Sequence, residues 1–137
     1  MYMRIAVAID GSDNAHRATV EALRLAAETS IIELLYVANI EKARQDMLHA
    51  SSPDALLLAR RQTLAPFEQL IRAANRTVET TILKGVPGPT IVDYVNAQPI
   101  DLLVIGSRGL NTLQQMVLGS VSHKVIKRVQ CPVLVVK

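Results

Sequence analysis

The sequence predicts an α/β fold: a three-layer α/β/α sandwich around a five-stranded parallel sheet of order 3-2-1-4-5, as one domain over residues 1–137. Three observations predict it. Short Val- and Ile-rich segments alternate with longer segments of helical period, giving β-α-β-α-β-α-β-α-β. Three of the short segments are nearly continuous apolar runs, as parallel strands covered on both faces require. The length of 137 residues and an apolar content of 50% suit one aliphatic core. Right-handed crossovers give the order 3-2-1-4-5 if the chain winds one way through three strands and then reverses.

The first strand is RIAVAI, Arg4–Ile9. A helix over Asn14–Glu28 follows, behind a Ser12/Asp13 cap, with Ala15, Ala18, Ala22, Leu25 and Ala26 on one stripe. The second strand is IIELLYV, Ile31–Val37. Ala38–Ser52 is polar and reads as a loop, a lid or an early extension of the next helix. That helix covers Pro53–Ala74, with Leu57, Leu64, Phe67, Ile71 and Ala74 inward and a kink or break expected at Pro66. The third strand, Thr77–Leu83, alternates, with Val78, Thr80 and Ile82 on one face, and so belongs at or near an edge. A short helix follows Gly88, with Pro89 in its first turn and Ile91, Val92 and Val95 inward. The fourth strand is Leu102–Ile105. The last helix starts near Gly119 and carries Val121, Val125 and Val129 at i, i+4 and i+8. The chain closes on a fifth strand, Pro132–Val136.

Composition excludes some functions. Three Tyr, one Phe and no Trp leave too few aromatic platforms for base-stacking nucleic-acid readers or for aromatic cages. Fifteen Lys and Arg against twelve Asp and Glu give a formal charge of +3, a mild bias that reads as a solvated surface. Lys124, Lys127 and Arg128 sit late in a helix, where cations suit its dipole. The single cysteine, Cys131, permits no internal disulfide, which fits a reducing compartment. The opening Met1-Tyr2-Met3-Arg4 lacks the features of a signal peptide, and no apolar run approaches a membrane span. A cytoplasmic location without membrane contact is expected.

In the order 3-2-1-4-5 the topological switch point lies between strands one and four. Ligands of such sheets bind outside the C-terminal strand ends at that point. After strand one comes Asp10-Gly11-Ser12-Asp13. Asp10 can accept from a ribose hydroxyl or an adenine amine, whereas Asp13 suits a helix cap. After strand four comes Gly106-Ser107-Arg108-Gly109, nine residues, and Gly119-Ser120-Val121-Ser122. Glycines let backbone approach a ligand closely, and the helix opened by Gly119 and Ser120 offers N–H groups to an anion. The Ser120 and Ser122 hydroxyls can add hydrogen bonds to phosphate, and Arg108 can reach it. There is no Gly-Lys-Ser/Thr of a Walker loop and no G-x-G-x-x-G after the first strand.

These residues resemble the universal stress protein family over essentially the whole chain. The resemblance rests on the opening strand ending in Asp10, the strand ending in Val37, and the Gly85-Val86-Pro87 turn. It also rests on Gly106-x2-Gly109-x9-Gly119-Ser120 and on the closing Pro132-Val133-Leu134-Val135-Val136. The full glycine motif marks the ATP-binding branch. The resemblance implies the adenine nucleotide alpha hydrolase-like version of the fold, and ATP as ligand, with or without Mg2+. It places Ala8, Asp10 and the Val37 backbone around adenine and ribose, with Ile105 and Gly106 lining the same pocket. Arg108 and Gly109 border the phosphates, and Gly119, Ser120, Val121 and Ser122 bind them. It further implies a homodimer through the last strand. Independently, an apolar edge such as PVLVV is an aggregation hazard unless covered.

Three functions follow from these readings. The first is a nucleotide-responsive dimer that regulates stress survival through an unidentified protein partner. The second is a slow ATPase. Phosphoryl transfer needs a positioned metal and an activated nucleophile, and His16, His49 and His123 are scattered, with no metal-ligand spacing. The third is a structural or chaperone-like dimer in which the nucleotide is incidental. AMP or another adenine nucleotide remains an alternative to ATP.

Overall fold

The computed structural model describes residues 1–10, 13–38, 53–107 and 120–137. The strands are β1 (Arg4–Ile9), β2 (Ile31–Ala38), β3 (Thr77–Lys84), β4 (Leu102–Gly106) and β5 (Val133–Val136). The helices are α1 (Asp13–Leu25), α2 (Pro53–Ala73), α3 (Pro87–Ala97) and α4 (Ser120–Arg128). All strand pairs are parallel, and the order is β3-β2-β1-β4-β5, as the alternation predicted.

The sheet divides the core in two. On one face Ile5, Val7, Ile9, Ile32, Leu34, Leu102 and Val104 meet the alanine stripe of α1 and the Leu64, Phe67 and Ile71 side chains of α2. On the other, Ala6, Leu35, Leu103 and Ile105 meet Ile91, Val92 and Val95 of α3 and Val125 of α4. Ala15, Ala18 and Ala22 are buried, and their small side chains let α1 lie close to β1 and β4.

α1 is shorter than expected, ending at Leu25 rather than Glu28, and Leu25 is 42% exposed rather than inward. Ser30 explains the stop. Its Oγ accepts the Ala27 N–H at 2.8 Å and donates to the Tyr2 carbonyl at 2.7 Å, which takes that amide out of a helical ladder.

Of the kink or break expected at Pro66, no break occurs: α2 runs as one helix through it. Pro66 is exposed, so the carbonyl one turn earlier faces the solvent side, where water can satisfy it. Leu57 is 43% exposed and Ala74 lies outside the helix. The helix ends in a Schellman motif: Asn75 takes the left-handed conformation at φ 58° and its N–H donates to the Arg72 carbonyl, while the Arg76 N–H donates to the Ile71 carbonyl.

β3 is an edge strand, with Val78 half-buried and Thr80 and Ile82 exposed on the α2 side. α3 starts at Pro87, ahead of Gly88. Gly85 sits at φ 147°, and its N–H donates to the Ala38 carbonyl at 3.1 Å, tying the β3–α3 turn to the end of β2. β4 extends to Gly106, and β5 starts at Val133 rather than Pro132.

One buried polar group escaped the sequence reading. Glu33, in the middle of the apolar second strand, is fully buried on the α3 side of the sheet. Its Oε1 accepts from Arg4 Nη2 at 2.7 Å and Arg4 Nε at 3.1 Å. Its Oε2 accepts from Thr81 Oγ1 at 2.8 Å and from the Tyr94 hydroxyl. Arg4 also pairs with Glu79. The cluster joins three strands to α3, and it satisfies every member, as burial of charge requires. Burial works against the Arg4 charge, but its hydrogen bonds to Glu79 and Glu33 outweigh this and raise its pKa.

Candidate functional site

β1 and β4 are neighbours whose onward connections diverge. α1 packs on one face of the sheet and α4 on the other, so a crevice is expected at the C-terminal ends of these two strands. Strand alternation then sorts the predicted residues. Ala8, Val37 and Ile105 share the α3/α4 face with Ala6, Leu35 and Leu103.

Exposure along that face rises toward the C-terminal ends of β1 and β2, while Ile105 near the end of β4 stays buried. Ala6 and Leu35 are buried, but Ala8 and Val37, two residues further on, are half-buried. On the opposite face Ile9 and Ala38, at the corresponding ends, are buried. Asp10 follows directly, half-buried at the end of β1. Leu83 sits opposite Val37 in the β2–β3 register and is half-buried on the same face. It extends the aliphatic wall toward β3. The strand alternation of Thr77–Leu83 contained that signal.

The glycine motif is held at both ends. Gly106 is the last residue of β4, and the next N–H, of Ser107, donates to the Val136 carbonyl at 2.8 Å. Ser120 opens α4, so Val121 and Ser122 lie in the first turn, where N–H groups have no partner within a helix. The buried Ser122 donates from Oγ to the Gly106 carbonyl at 2.8 Å. This bond seats the first turn of α4 on the end of β4. Arg108, Gly109 and Gly119 lie outside the described residues.

The far end of α4 is fixed by a residue the sequence reading missed. Asn96 Nδ2 donates to the Arg128 carbonyl at 3.1 Å, and its Oδ1 accepts the Gln130 N–H at 2.9 Å. Asn96 of α3 therefore caps the C-terminus of α4. Val125 anchors the middle of the helix in the core.

Other candidates are ordinary. Burial pushes the Cys131 thiol above its usual pKa of 9.0, which disfavours a nucleophilic role. Among the described residues no group of three or more His, Cys, Asp or Glu is placed to hold a metal ion. No described helix is long and apolar enough to cross a membrane.

Comparison with known proteins agrees with this geometry. The sequence pattern of the universal stress protein family matches residues 1–137. The chain is 31% identical to universal stress protein YxiE of Bacillus subtilis over 153 aligned positions, covering all of both chains. Its structure is similar to that of MJ0577 of Methanocaldococcus jannaschii, with TM-score 0.87 and 25% identity over 100% of this chain and 96% of that one. It is also similar to a universal stress protein from Archaeoglobus fulgidus solved in complex with dAMP, with TM-score 0.74 and 25% identity over 99% and 98%.

Proposed function

The chain belongs to the universal stress protein family, and on that premise we propose that it is an ATP-binding member acting as a nucleotide-responsive homodimer in the cytoplasmic stress response. The observation that carries the reading is the junction of Gly106-x2-Gly109-x9-Gly119-Ser120 with the switch point. The motif leaves from the end of β4 and returns at the first turn of α4, and a side-chain hydrogen bond ties those two places together. The dAMP complex of the Archaeoglobus relative supports an adenine ligand.

In this reading adenine lies against Ala8, Val37 and Ile105. Those walls are aliphatic, which answers the aromatic scarcity of the sequence: one base can be held by apolar contacts and backbone groups without stacking. Asp10 accepts from the ribose. The phosphates meet the N–H groups of Gly109 and of the Gly119–Ser122 turn, where the positive end of the α4 dipole favours anions, and Arg108 adds a cation at their border. A magnesium ion arriving with ATP is held mainly by the phosphates. AMP is the alternative ligand, and it would use the same adenine walls with fewer amide contacts.

Association through Pro132–Val136 completes the proposal. Among the described residues β5 ends the sheet and pairs only with β4, and it is half-buried along its length. A second copy of the strand would satisfy its outer backbone groups.

The test is a thermal unfolding series with increasing ATP. Saturation at 100 times the dissociation constant stabilises a binding protein by about 2.7 kcal/mol. The wild type shows the upward shift, and replacing Gly119 with valine abolishes it. Failure of millimolar ATP to move the wild-type melting temperature overturns the reading.

A further inference from the structure

The inward side of α4 carries Ser122 and Val125, both buried, and the half-buried Val129 just beyond its end. Packing alone would be served by an apolar side chain at 122. Ser122 as a residue is 3% exposed, and its hydroxyl spends its only proton on the Gly106 carbonyl at 2.8 Å. A hydroxyl has one O–H to donate, and the bridging and terminal oxygens of ionised phosphates only accept. Ser122 Oγ therefore has no donor left for a phosphate while the Gly106 bond stands.

We propose that Ser122 is a positioning residue for phosphate recognition rather than a side-chain ligand. Through its bond to Gly106 it holds the first-turn N–H groups of α4 over the end of β4. This rests on the nucleotide reading above and changes how the expected phosphate contact is made: residue 122 contributes its backbone N–H, and its side chain fixes where that N–H points. Side-chain hydrogen bonds hold both ends of the helix, Ser122 at its first turn and Asn96 at its last carbonyls. The bond at the first turn lies beside the proposed ligand. Losing it lets the first turn shift, and preorganised donors lose much of their value when they move.

The experiment measures binding of ATP and of adenosine by calorimetry for the wild type, Ser122→Ala and Ser122→Thr. Hydrogen exchange at the amides whose bonds close the first turn of α4, those of Lys124 and Val125, is followed in the nucleotide-free proteins. The proposal expects Ser122→Ala to bind ATP about tenfold more weakly, the size of one lost hydrogen bond. It expects adenosine binding to stay within about twofold, faster exchange at the Lys124 and Val125 amides, and recovery of ATP binding in Ser122→Thr. If Ser122→Ala does not fold, Ser122→Cys fills the volume with a weak donor and takes its place. Weaker ATP binding with unchanged exchange makes Ser122 a direct ligand and overturns the proposal. Faster exchange with unchanged ATP affinity makes it merely structural and overturns it too. A wild type that binds neither compound fails the nucleotide reading itself, a result visible before any variant is made.

Discussion

Replacing Glu33 with Gln probes the one fully buried charge among the described residues. The carboxylate accepts from Arg4 Nε and Nη2 on one oxygen and from Thr81 and Tyr94 on the other. Glutamine has one acceptor oxygen, which must face Arg4 because guanidinium cannot accept. Its NH2 then faces Thr81 and Tyr94, whose hydroxyls must reverse to accept. The hydrogen bonds can be rebuilt, but the charge pair cannot. Removing one partner of a buried ion pair costs about 3–5 kcal/mol. Two facts reduce this: the Arg4 side chain is 23% exposed, and it keeps Glu79, itself 48% exposed. About 2–3 kcal/mol remains. For a domain of this size that lowers Tm by roughly 6–12 °C. Glu33→Leu, which removes every acceptor, should cost more, and adding Arg4→Met should recover part of the loss because no charge is then stranded. Thermal and urea unfolding at pH 7 measure all three. The cluster lies at the register of Ala6, below the half-buried rim, so ATP affinity of the folded variants should be unchanged. A Glu33→Gln protein within about 0.5 kcal/mol of wild type would refute the argument that this buried charge depends on its pairing.

Gly85→Ala should destabilise by about 1–3 kcal/mol, because the residue sits at φ 147° and a Cβ there would lie 2.4 Å from Thr90 Oγ1; urea unfolding with no loss of stability would contradict this. Burial first, and then its hydrogen bond to Glu33, hold the Tyr94 phenol above its usual pKa of 10.0. A raised folded-state pKa gives stability that is full below pH 10 and lost as pH climbs through the folded value. Wild type should therefore lose stability more steeply than Tyr94→Phe above that pH, and equal slopes would count against the assignment. Sedimentation at micromolar concentration should give twice the chain mass, and Val135→Lys on the edge strand should shift it to the monomer; a monomeric wild type would remove the proposed dimer.

The fold was legible because its signals are periodic and redundant. The continuous run Leu102–Ile105 reads as a strand covered on both faces, and it is buried inside the sheet between β1 and β5. Boundaries were less legible because single side chains set them. Ser30 ends α1 by accepting the Ala27 N–H from beyond the helix, and no period in Asn14–Glu28 announces it. Pro66 predicts a kink or a break, yet the helix continues through it, because its exposed position makes the lost hydrogen bond inexpensive. The site was legible as a line of glycines, whereas the contacts that seat it join residues far apart in sequence. Ser122 meets Gly106 across sixteen positions and Asn96 meets Gln130 across 34. Glu33 did carry a signal: an acid inside IIELLYV has to be paired if that run is buried. Its partners came from β1, β3 and α3, and only the assembled sheet brings them together.

The central claim is that the C-terminal rim between β1 and β4 holds an adenine nucleotide. The most direct measurement is extraction of ligand from the protein purified natively, with mass identification, followed by calorimetric titration of the stripped protein with ATP. The account predicts an adenine nucleotide in the extract and saturable, stoichiometric ATP binding that Gly119→Val eliminates. An extract free of nucleotide, together with a stripped protein that shows no binding at millimolar ATP, would contradict it.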